Sequence, residues 1–195
     1  MAATMNTQNL IGLVGKKRVG KDTFADFLCK NHGYVKYSFA GPLKKACQEI
    51  FLLSDDQLET DLKEVNDPRW GITPRKLFQQ MGTEVFRNKI VDFFPEFADF
   101  GTKIWIYRFK LWFQEKIKEN PNIKVIISDI RFEDEAEIVS ELGGMLIKIA
   151  RTTRFGEDTH SSEQNIDKIA CDKSIENKSS VGQYLCDIEK MLNLK

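Results

Sequence analysis

Leu10-Ile11-Gly12-Leu13-Val14-Gly15-Lys16-Lys17-Arg18-Val19-Gly20-Lys21-Asp22-Thr23 is the stretch whose reading decides the fold. An apolar run of strand character breaks into Gly15-x-x-x-x-Gly20-Lys21, and the residues beyond it have helical spacing. The two glycines therefore fall in a strand-to-helix loop of the kind that wraps a phosphate. Gly15 and Gly20 are expected to adopt backbone angles closed to other residues and to let N–H groups converge on phosphate oxygens. The helix that follows adds its own unpaired N–H groups. Lys21 supplies a mobile positive charge for the terminal phosphates. Where Ser or Thr usually follows the lysine to hold magnesium, this chain has Asp22, and a hydroxyl comes only at Thr23. The bland alternative is an ordinary turn between a strand and a helix.

The 195 residues suit one domain, expected over 10–195 behind a polar, flexible tail at 1–9. Acidic and basic residues balance at 29 each, which argues against a protein that wraps nucleic acid and makes its Lys and Arg residues local anion ligands. Cys29, Cys47, Cys171 and Cys186 lie far apart, and with two histidines they lack zinc-site spacing. Reduced thiols in the cytoplasm are expected. The tail lacks the apolar core of a signal peptide, and no stretch approaches the length of a membrane span.

Outward from the loop, Phe24, Phe27 and Leu28 make one apolar stripe on a helix ending near Asn31-His32-Gly33. Tyr34 to Phe39 alternates as a second strand, and Gly41-Pro42 opens a helix carrying Leu43, Ala46, Cys47, Ile50 and Phe51 inward. Lys44, in its first turns, is placed either for a substrate phosphate or for solvent. Ser54-x-x-Gln57 is a capping box for a helix running towards Glu64. Thr73-Pro74 starts another helix, expected to run from Arg75 to Ile90. On it Arg75, Gln79, Thr83 and Arg87 recur every four residues along one face, the arginines roughly 18 Å apart by helical rise. Gly82 in mid-helix implies close approach by another segment or by a flat ligand. Five phenylalanines, Phe86, Phe93, Phe94, Phe97 and Phe100, surround Pro95, and Trp105, Ile106, Phe109, Trp112, Phe113 and Ile117 mark a long amphipathic helix. An aromatic stripe at this spacing reads first as core, with base stacking by Trp105 as the sharper alternative.

Ile123 to Ser128 is a continuous apolar run of the kind found in a parallel strand covered on both faces. It ends in Asp129-Ile130-Arg131, where ligands bind in open α/β sheets, so Asp129 is a candidate magnesium ligand. A helix with Ala136, Ile138, Val139 and Leu142 follows. The strand Met145–Ala150 then leads into the polar segment from Arg151 through Arg154 to His160, a candidate lid over phosphates at about 151–165. Lys173 to Asn177 is a last strand and Ser180 caps the final helix. Alternating strands and helices imply a three-layer α/β/α sandwich with a parallel sheet.

These residues together resemble the deoxynucleoside monophosphate kinases of bacteriophages and large DNA viruses. The resemblance runs from Gly15 to Thr23, through Phe39-Ala40-Gly41-Pro42-Leu43-Lys44, Pro74-Arg75-Lys76-Leu77, Gln80 to Glu84 and Arg87, to Trp105, Ser128 to Phe132 with Glu135, and His160 to Glu163. It implies a phosphate-loop kinase that moves the γ-phosphoryl group of ATP, with Mg²⁺, to a deoxynucleoside 5′-monophosphate. By that resemblance Gly15, Lys16, Arg18, Val19, Gly20, Lys21, Asp22 and Thr23 bind ATP. Lys21, Asp129, Arg131, Arg151 and Arg154 serve catalysis, and Asp22, Thr23 and Asp129 hold the metal. Phe39, Lys44, Arg75, Gln79, Gly82, Thr83, Arg87 and Trp105 bind the acceptor, within a helical region at about 54–120. The implied partners are small nucleotides and a possible second copy of the chain, with neither nucleic acid nor membrane; for a viral protein the compartment is the host cytoplasm. Dephospho-coenzyme A kinase, phosphomevalonate kinase and a non-catalytic nucleotide-binding module are the rival readings.

Overall fold

In the computed structural model, which describes residues 7–151, 165–178 and 180–194, five strands make one parallel sheet. They are β1 (Leu10–Val14), β2 (Tyr34–Tyr37), β3 (Lys124–Ile130), β4 (Met145–Ala150) and β5 (Lys173–Glu176), in the order β2-β3-β1-β4-β5. β1 is buried along its whole length, with Ile11 in register with Ile126 of β3 and Met145 of β4. Its unbroken apolar run fits a central strand covered on both faces. The chain leaves β1 with β3 on one side and β4 on the other. This is a topological switch point, where crevices open at the carboxyl ends of the strands.

Both faces of β1 are covered. On one, Ile11, Leu13, Ile126, Ile147 and Ile149 meet Phe24, Ala25 and Leu28 of α1 (Lys21–His32) and Tyr184, Ile188 and Leu192 of the final helix, Val181–Leu192. On the other, Gly12 lies against Ile130, Leu146 and Val139, the last from the helix Glu133–Glu141. A methyl group on Gly12 would collide with the Ile130 Cδ1 atom. The expected three-layer order is therefore present. Residues 7–9, assigned to the tail, form a 3₁₀ turn; Tyr34 Oη donates to the Gln8 carbonyl at 2.7 Å and Gln8 Nε2 to the Leu192 carbonyl at 3.1 Å. Residues 1–6 lie outside the described residues.

The described residues up to Ser38 and from Phe113 onward form one compact unit, and Phe39–Trp112 form another. The second unit holds α2 (Gly41–Phe51), α3 (Asp55–Glu59) and α4 (Pro74–Gln79) around Leu43, Cys47, Leu53, Leu58 and Leu77. Both expected caps are present: Ser54 Oγ accepts from Gln57 N while Gln57 Oε1 accepts from Ser54 N, and Thr73 Oγ1 accepts from Lys76 N. α3 stops at Glu59 rather than reaching Glu64, because Thr60 is extended and caps a separate 3₁₀ turn, Asp61–Glu64. On α2 only Leu43 and Cys47 are buried; Ala46 and Ile50 face outward.

Two further expectations fail in this unit. The helix drawn from Arg75 to Ile90 is α-helical only to Gln79, continues as a π-helix over Gln80–Lys89, and returns to α-helix at α5 (Ile90–Phe93). Bonding from i to i+5 widens the turn and shortens the rise, so the separation of Arg75 and Arg87 taken from α-helical rise does not apply. The phenylalanine run is also less buried than a core stripe. Phe93 is 66% and Phe94 51% exposed, while Phe94, Phe97, Phe100 and Tyr107 stack successively at 5.3, 4.9 and 4.8 Å between ring centres. α6 (Ile104–Glu119) carries the rest as expected, with Ile106, Phe109 and Phe113 buried.

Candidate active site

The loop after β1 has an unequal division of labour between its glycines. Gly20 has φ 107°, a left-handed value that a side chain would strain, and it immediately precedes α1. Gly15 has no such angle. A methyl group there would stand 2.6 Å from the Ile149 carbonyl oxygen, so glycine is needed for close approach to β4 and not for its backbone angle. The other left-handed residue in the loop is Arg18, at φ 62°. Val19 is 4% exposed and packs into the sheet core beside Ile149. Its side chain anchors the loop, which leaves the Val19 main-chain N–H, and not the side chain, as the group it could offer a nucleotide.

Three groups fix the inside of the loop. Lys21, 8% exposed, donates from Nζ to the carbonyls of Gly15 at 2.5 Å and Lys16 at 2.7 Å. Asn177, just beyond β5, donates from Nδ2 to the Val19 carbonyl at 3.0 Å, and Tyr184 Oη reaches the Gly20 carbonyl at 3.4 Å. Beside them opens a cavity of about 260 Å³ lined by Arg18, Gly20, Lys21, Asp22, Thr23, Arg151, Asn177, Val181 and Tyr184. Two guanidinium groups and an ammonium, with Val181 and the Tyr184 ring among the lining residues, suit a polyphosphate joined to a flat base. Lys16 points elsewhere, to Asp167 at 3.1 Å, a carboxylate that Lys148 also approaches at 3.6 Å.

Two of the three expected metal residues are held by other side chains. Asp22 is bonded by Lys36 Nζ at 2.9 Å, and Asp129, half-buried near the end of β3, accepts from Ser38 Oγ at 2.7 Å. Among the described residues no group of three or more His, Cys, Asp or Glu side chains is arranged to hold a metal ion. Magnesium in phosphoryl-transfer sites takes one or two carboxylates and completes its shell with phosphates and water, so Asp22, Thr23 and Asp129 form a donor set of oxygens that fits it. Two residues past Asp129, the main-chain N–H of Arg131 donates to Glu135 Oε2 at 2.9 Å and that of Phe132 at 3.2 Å. This buried carboxylate fixes the turn that carries Arg131. Arg154, His160 and nearly all of the expected lid lie outside the described residues, and of that segment only Arg151 is described alongside the cavity.

The acceptor candidates sit in the second unit. Lys44 pairs with Glu59 at 3.2 Å, and Arg75 Nε bonds Glu64 at 2.5 Å. Lys63, which the sequence reading passed over, lies within electrostatic reach of both. Burial, followed by the charges of Arg75 and Lys44, pushes its pKa below the usual lysine value. Gln79 and Thr83 are half-buried and Arg87 is 8% exposed. Gly82 has a packing explanation: a methyl there would meet Leu43 Cδ2 at 2.7 Å, and its carbonyl accepts the Trp105 indole N–H at 3.0 Å. Trp105 is also tilted against Phe86 at 5.6 Å, so Gly82 and Trp105 each have a packing role in the fold. Phe39 is buried edge-on to Phe109.

Asn177, Tyr184, Lys36, Ser38 and Lys63 were missed because each acts on a segment distant in the chain. Only the placement of Asn177 after a strand of a phosphate-loop fold was a usable signal. No helix among the described residues is long and apolar enough to cross a membrane.

A family model described as deoxynucleotide monophosphate kinase matches residues 9–67 and 48–188. A protein of Acanthamoeba polyphaga mimivirus, provisionally named a deoxynucleotide monophosphate kinase, is 41% identical over 183 residues, covering 92% of this chain and 93% of that protein. The deoxynucleotide monophosphate kinase of Enterobacteria phage T4 is 60% identical over 37 residues, 19% of this chain and 15% of its own. Among solved structures, dephospho-CoA kinase from Campylobacter jejuni superposes with a TM-score of 0.48 at 18% identity, over 95% of this chain and 96% of that one. Shikimate kinase from Aquifex aeolicus gives 0.45 at 13% identity, over 94% and 96%.

Proposed function

The chain belongs to the deoxynucleotide monophosphate kinase family, and from that premise we propose how its own residues bind ATP, magnesium and the acceptor. The γ-phosphoryl group leaves ADP and joins a 5′-phosphate oxygen of a deoxynucleoside monophosphate. That oxygen is already anionic, so no base is needed, and catalysis is positioning with stabilisation of charge. The amides of the loop from Gly15 to Gly20 and the Lys21 ammonium cradle the β- and γ-phosphates. Arg18 and Arg151 bind the donor from the cavity wall, and Arg131, joined by Arg154, meets charge on the transferring group. Thr23, Asp22 and Asp129 hold magnesium, which when bound neutralises phosphate oxygens. Lys44, Arg75, Gln79, Thr83, Arg87 and Phe39, with Lys63 added, bind the acceptor.

The observation that supports this reading best is the cavity that gathers Arg18, Lys21 and Arg151 beside Asp22 and Thr23. Its test is ADP release by the wild type and Lys21→Ala, measured with each deoxy- and ribonucleoside monophosphate and with dephospho-coenzyme A and phosphomevalonate as rival acceptors. The expected result is turnover on deoxynucleoside monophosphates alone, lost in Lys21→Ala with the circular dichroism unchanged. A near-normal rate in that variant, or turnover only on a rival acceptor, would remove the reading.

For assembly, a homodimer is supported by the ring ladder from Phe94 to Tyr107, whose end members are exposed, as are Phe93 and Leu111. Acidic Asp92, Glu96 and Asp99 and basic Lys103, Arg108 and Lys110 are near it in sequence, and mixed charge of this kind lets a surface meet a second copy of itself about a two-fold axis. Sedimentation at rising salt tests this, with a monomer at all concentrations counting against it.

A further inference from the structure

Residue 177 ties together three segments that line the donor cavity. Its side-chain Nδ2 donates to the Val19 carbonyl at 3.0 Å across 158 residues of sequence, and its main-chain N–H donates to the Ala150 carbonyl at 2.8 Å. Ala150 is the last residue of β4 and directly precedes Arg151, which lines the cavity with Arg18 and Lys21. The Asn177 side chain is also the group that a methyl on Gly20 would strike, at 2.6 Å, in the left-handed residue that ends the loop. Asn177 is itself 9% exposed, so its amide donates to a carbonyl in an interior position where water is a poor substitute.

The carbonyl of Val19 matters because of its direction. When a peptide carbonyl is held towards the protein, the N–H of the same peptide unit, here that of Gly20, is turned the opposite way. A loop that binds phosphate through main-chain N–H groups needs that orientation set before the ligand arrives. Tyr184 Oη at 3.4 Å from the Gly20 carbonyl acts in the same sense on the next peptide, but at a longer distance. Both bracing groups come from the far side of the sheet order, from the residue just beyond β5 and the helix after it, rather than from the loop's own neighbours in sequence.

We infer that Asn177 is a positioning residue for the phosphoryl donor: its buried amide holds the Val19–Gly20 peptide with the N–H turned towards the phosphates. The inference rests on the reading that this cavity takes the donor. It assigns Asn177 an effect on polyphosphate affinity without contact with the transferring group, and none on the acceptor.

The test uses the full chain with ATP and with inorganic tripolyphosphate, a probe that has the phosphates and lacks the base. In Asn177→Ala the dissociation constants for both rise together, by about tenfold, the scale of one buried hydrogen bond. KM for ATP rises alike while KM for the deoxynucleoside monophosphate holds. Asn177→Ser leaves a small polar group that cannot reach Val19 and is the replacement should the alanine variant fail to fold; it follows the same pattern. Loss of ATP affinity with tripolyphosphate unchanged would make Asn177 a contact to the base and overturn the inference. Unchanged affinity for both in a folded variant would overturn it as well. Failure of the underlying reading is separately visible, since wild-type protein would then bind neither probe, or Lys21→Ala would bind both as tightly as wild type.

Discussion

Lys36 Nζ stands 2.9 Å from Asp22 Oδ1 and 2.9 Å from Asp26 Oδ1, so a lysine of β2 holds the carboxylate that occupies the usual hydroxyl position after Lys21. Two residues on, Ser38 donates to Asp129. Alternate residues of one short segment thus hold two of the side chains assigned to magnesium. Burial pulls the Lys36 ammonium down, but its hydrogen bonds to Asp26 and Asp22 outweigh that, and its pKa lies above the usual lysine value. Lys36 is therefore a cation throughout the working range and competes with any metal for Asp22. Asp22 is 80% exposed on its side chain, so the competition is screened and modest. Lys36→Met is expected to lower the magnesium concentration for half-maximal rate by about two- to threefold at low salt, with the difference fading at 0.5 M salt or so. Magnesium titrations of both proteins check this, and identical curves would take Asp22 out of the metal site.

A second prediction concerns acid. Asp67 is 4% exposed and accepts from Arg69 Nη2 at 2.6 Å, Arg69 Nε at 2.9 Å, Arg69 N at 3.0 Å and Gln57 Nε2 at 2.9 Å. Arg69 in turn reaches the Leu52 carbonyl, and Trp70 Nε1 reaches that of Phe51, so the same turn closes the C-terminal end of α2. The hydrogen bonds from the Arg69 side chain, then that of Gln57, hold the Asp67 carboxyl well below the usual carboxylate range despite burial. A depressed folded pKa means that the stability is complete above the unfolded value of about 3.9 and is lost as pH falls through the folded one. Melting temperatures of wild type and Asp67→Asn are expected to differ most near neutrality and to begin to approach each other only below about pH 4, closing as pH falls towards the depressed folded value. Parallel curves across that range would mean that Asp67 is not the titrating group.

In the second unit, three cations, Lys44, Lys63 and Arg75, have Glu59 and Glu64 as nearby carboxylates. Burial first, and then the charges of Arg75 and Lys44, lowers the pKa of Lys63, and an acceptor phosphate would offset both. Lys63→Met is expected to raise KM for the deoxynucleoside monophosphate by about tenfold and leave KM for ATP within about twofold. Steady-state kinetics with each substrate varied in turn separates the two, and a rise in KM for ATP instead would reassign the cluster.

The parts legible in sequence were those whose cause is local. A strand, glycines, a lysine and a helix in succession specify the phosphate loop, and Ser54 and Thr73 announce their caps within three residues. Apolar runs at Leu10–Val14 and Lys124–Ile130 required burial on both faces. What escaped is set by contacts distant in sequence. The need for glycine at 15 comes from the Ile149 carbonyl of another strand, and the Val19 carbonyl finds its partner at Asn177. The switch to π-helix at Gln80 leaves no mark in a rhythm of four, because Arg75, Gln79, Thr83 and Arg87 satisfy that spacing whichever way the backbone bonds.

Three glycines separate backbone strain from steric conflict at the site. Gly33 ends α1 at φ 71° with open space where a side chain would go, so Gly33→Ala meets only the cost of a left-handed residue, about 1–2 kcal/mol. Gly15→Ala has the opposite problem, an unremarkable angle but a main-chain oxygen of Ile149 at 2.6 Å that cannot swing aside as a side chain would. Relief requires β1 and β4 to shift where the loop begins, at a cost of about 1–3 kcal/mol. Gly20→Ala combines both faults, at φ 107° with Asn177 at 2.6 Å. Chemical denaturation is therefore expected to rank Gly20→Ala as the least stable of the three. ATP binding is expected to be unchanged in Gly33→Ala and at least about tenfold weaker in Gly15→Ala, although the two lose comparable stability. Equal ATP affinities in these two folded variants would show that the loop tolerates displacement against β4, and that its phosphate geometry is not set there.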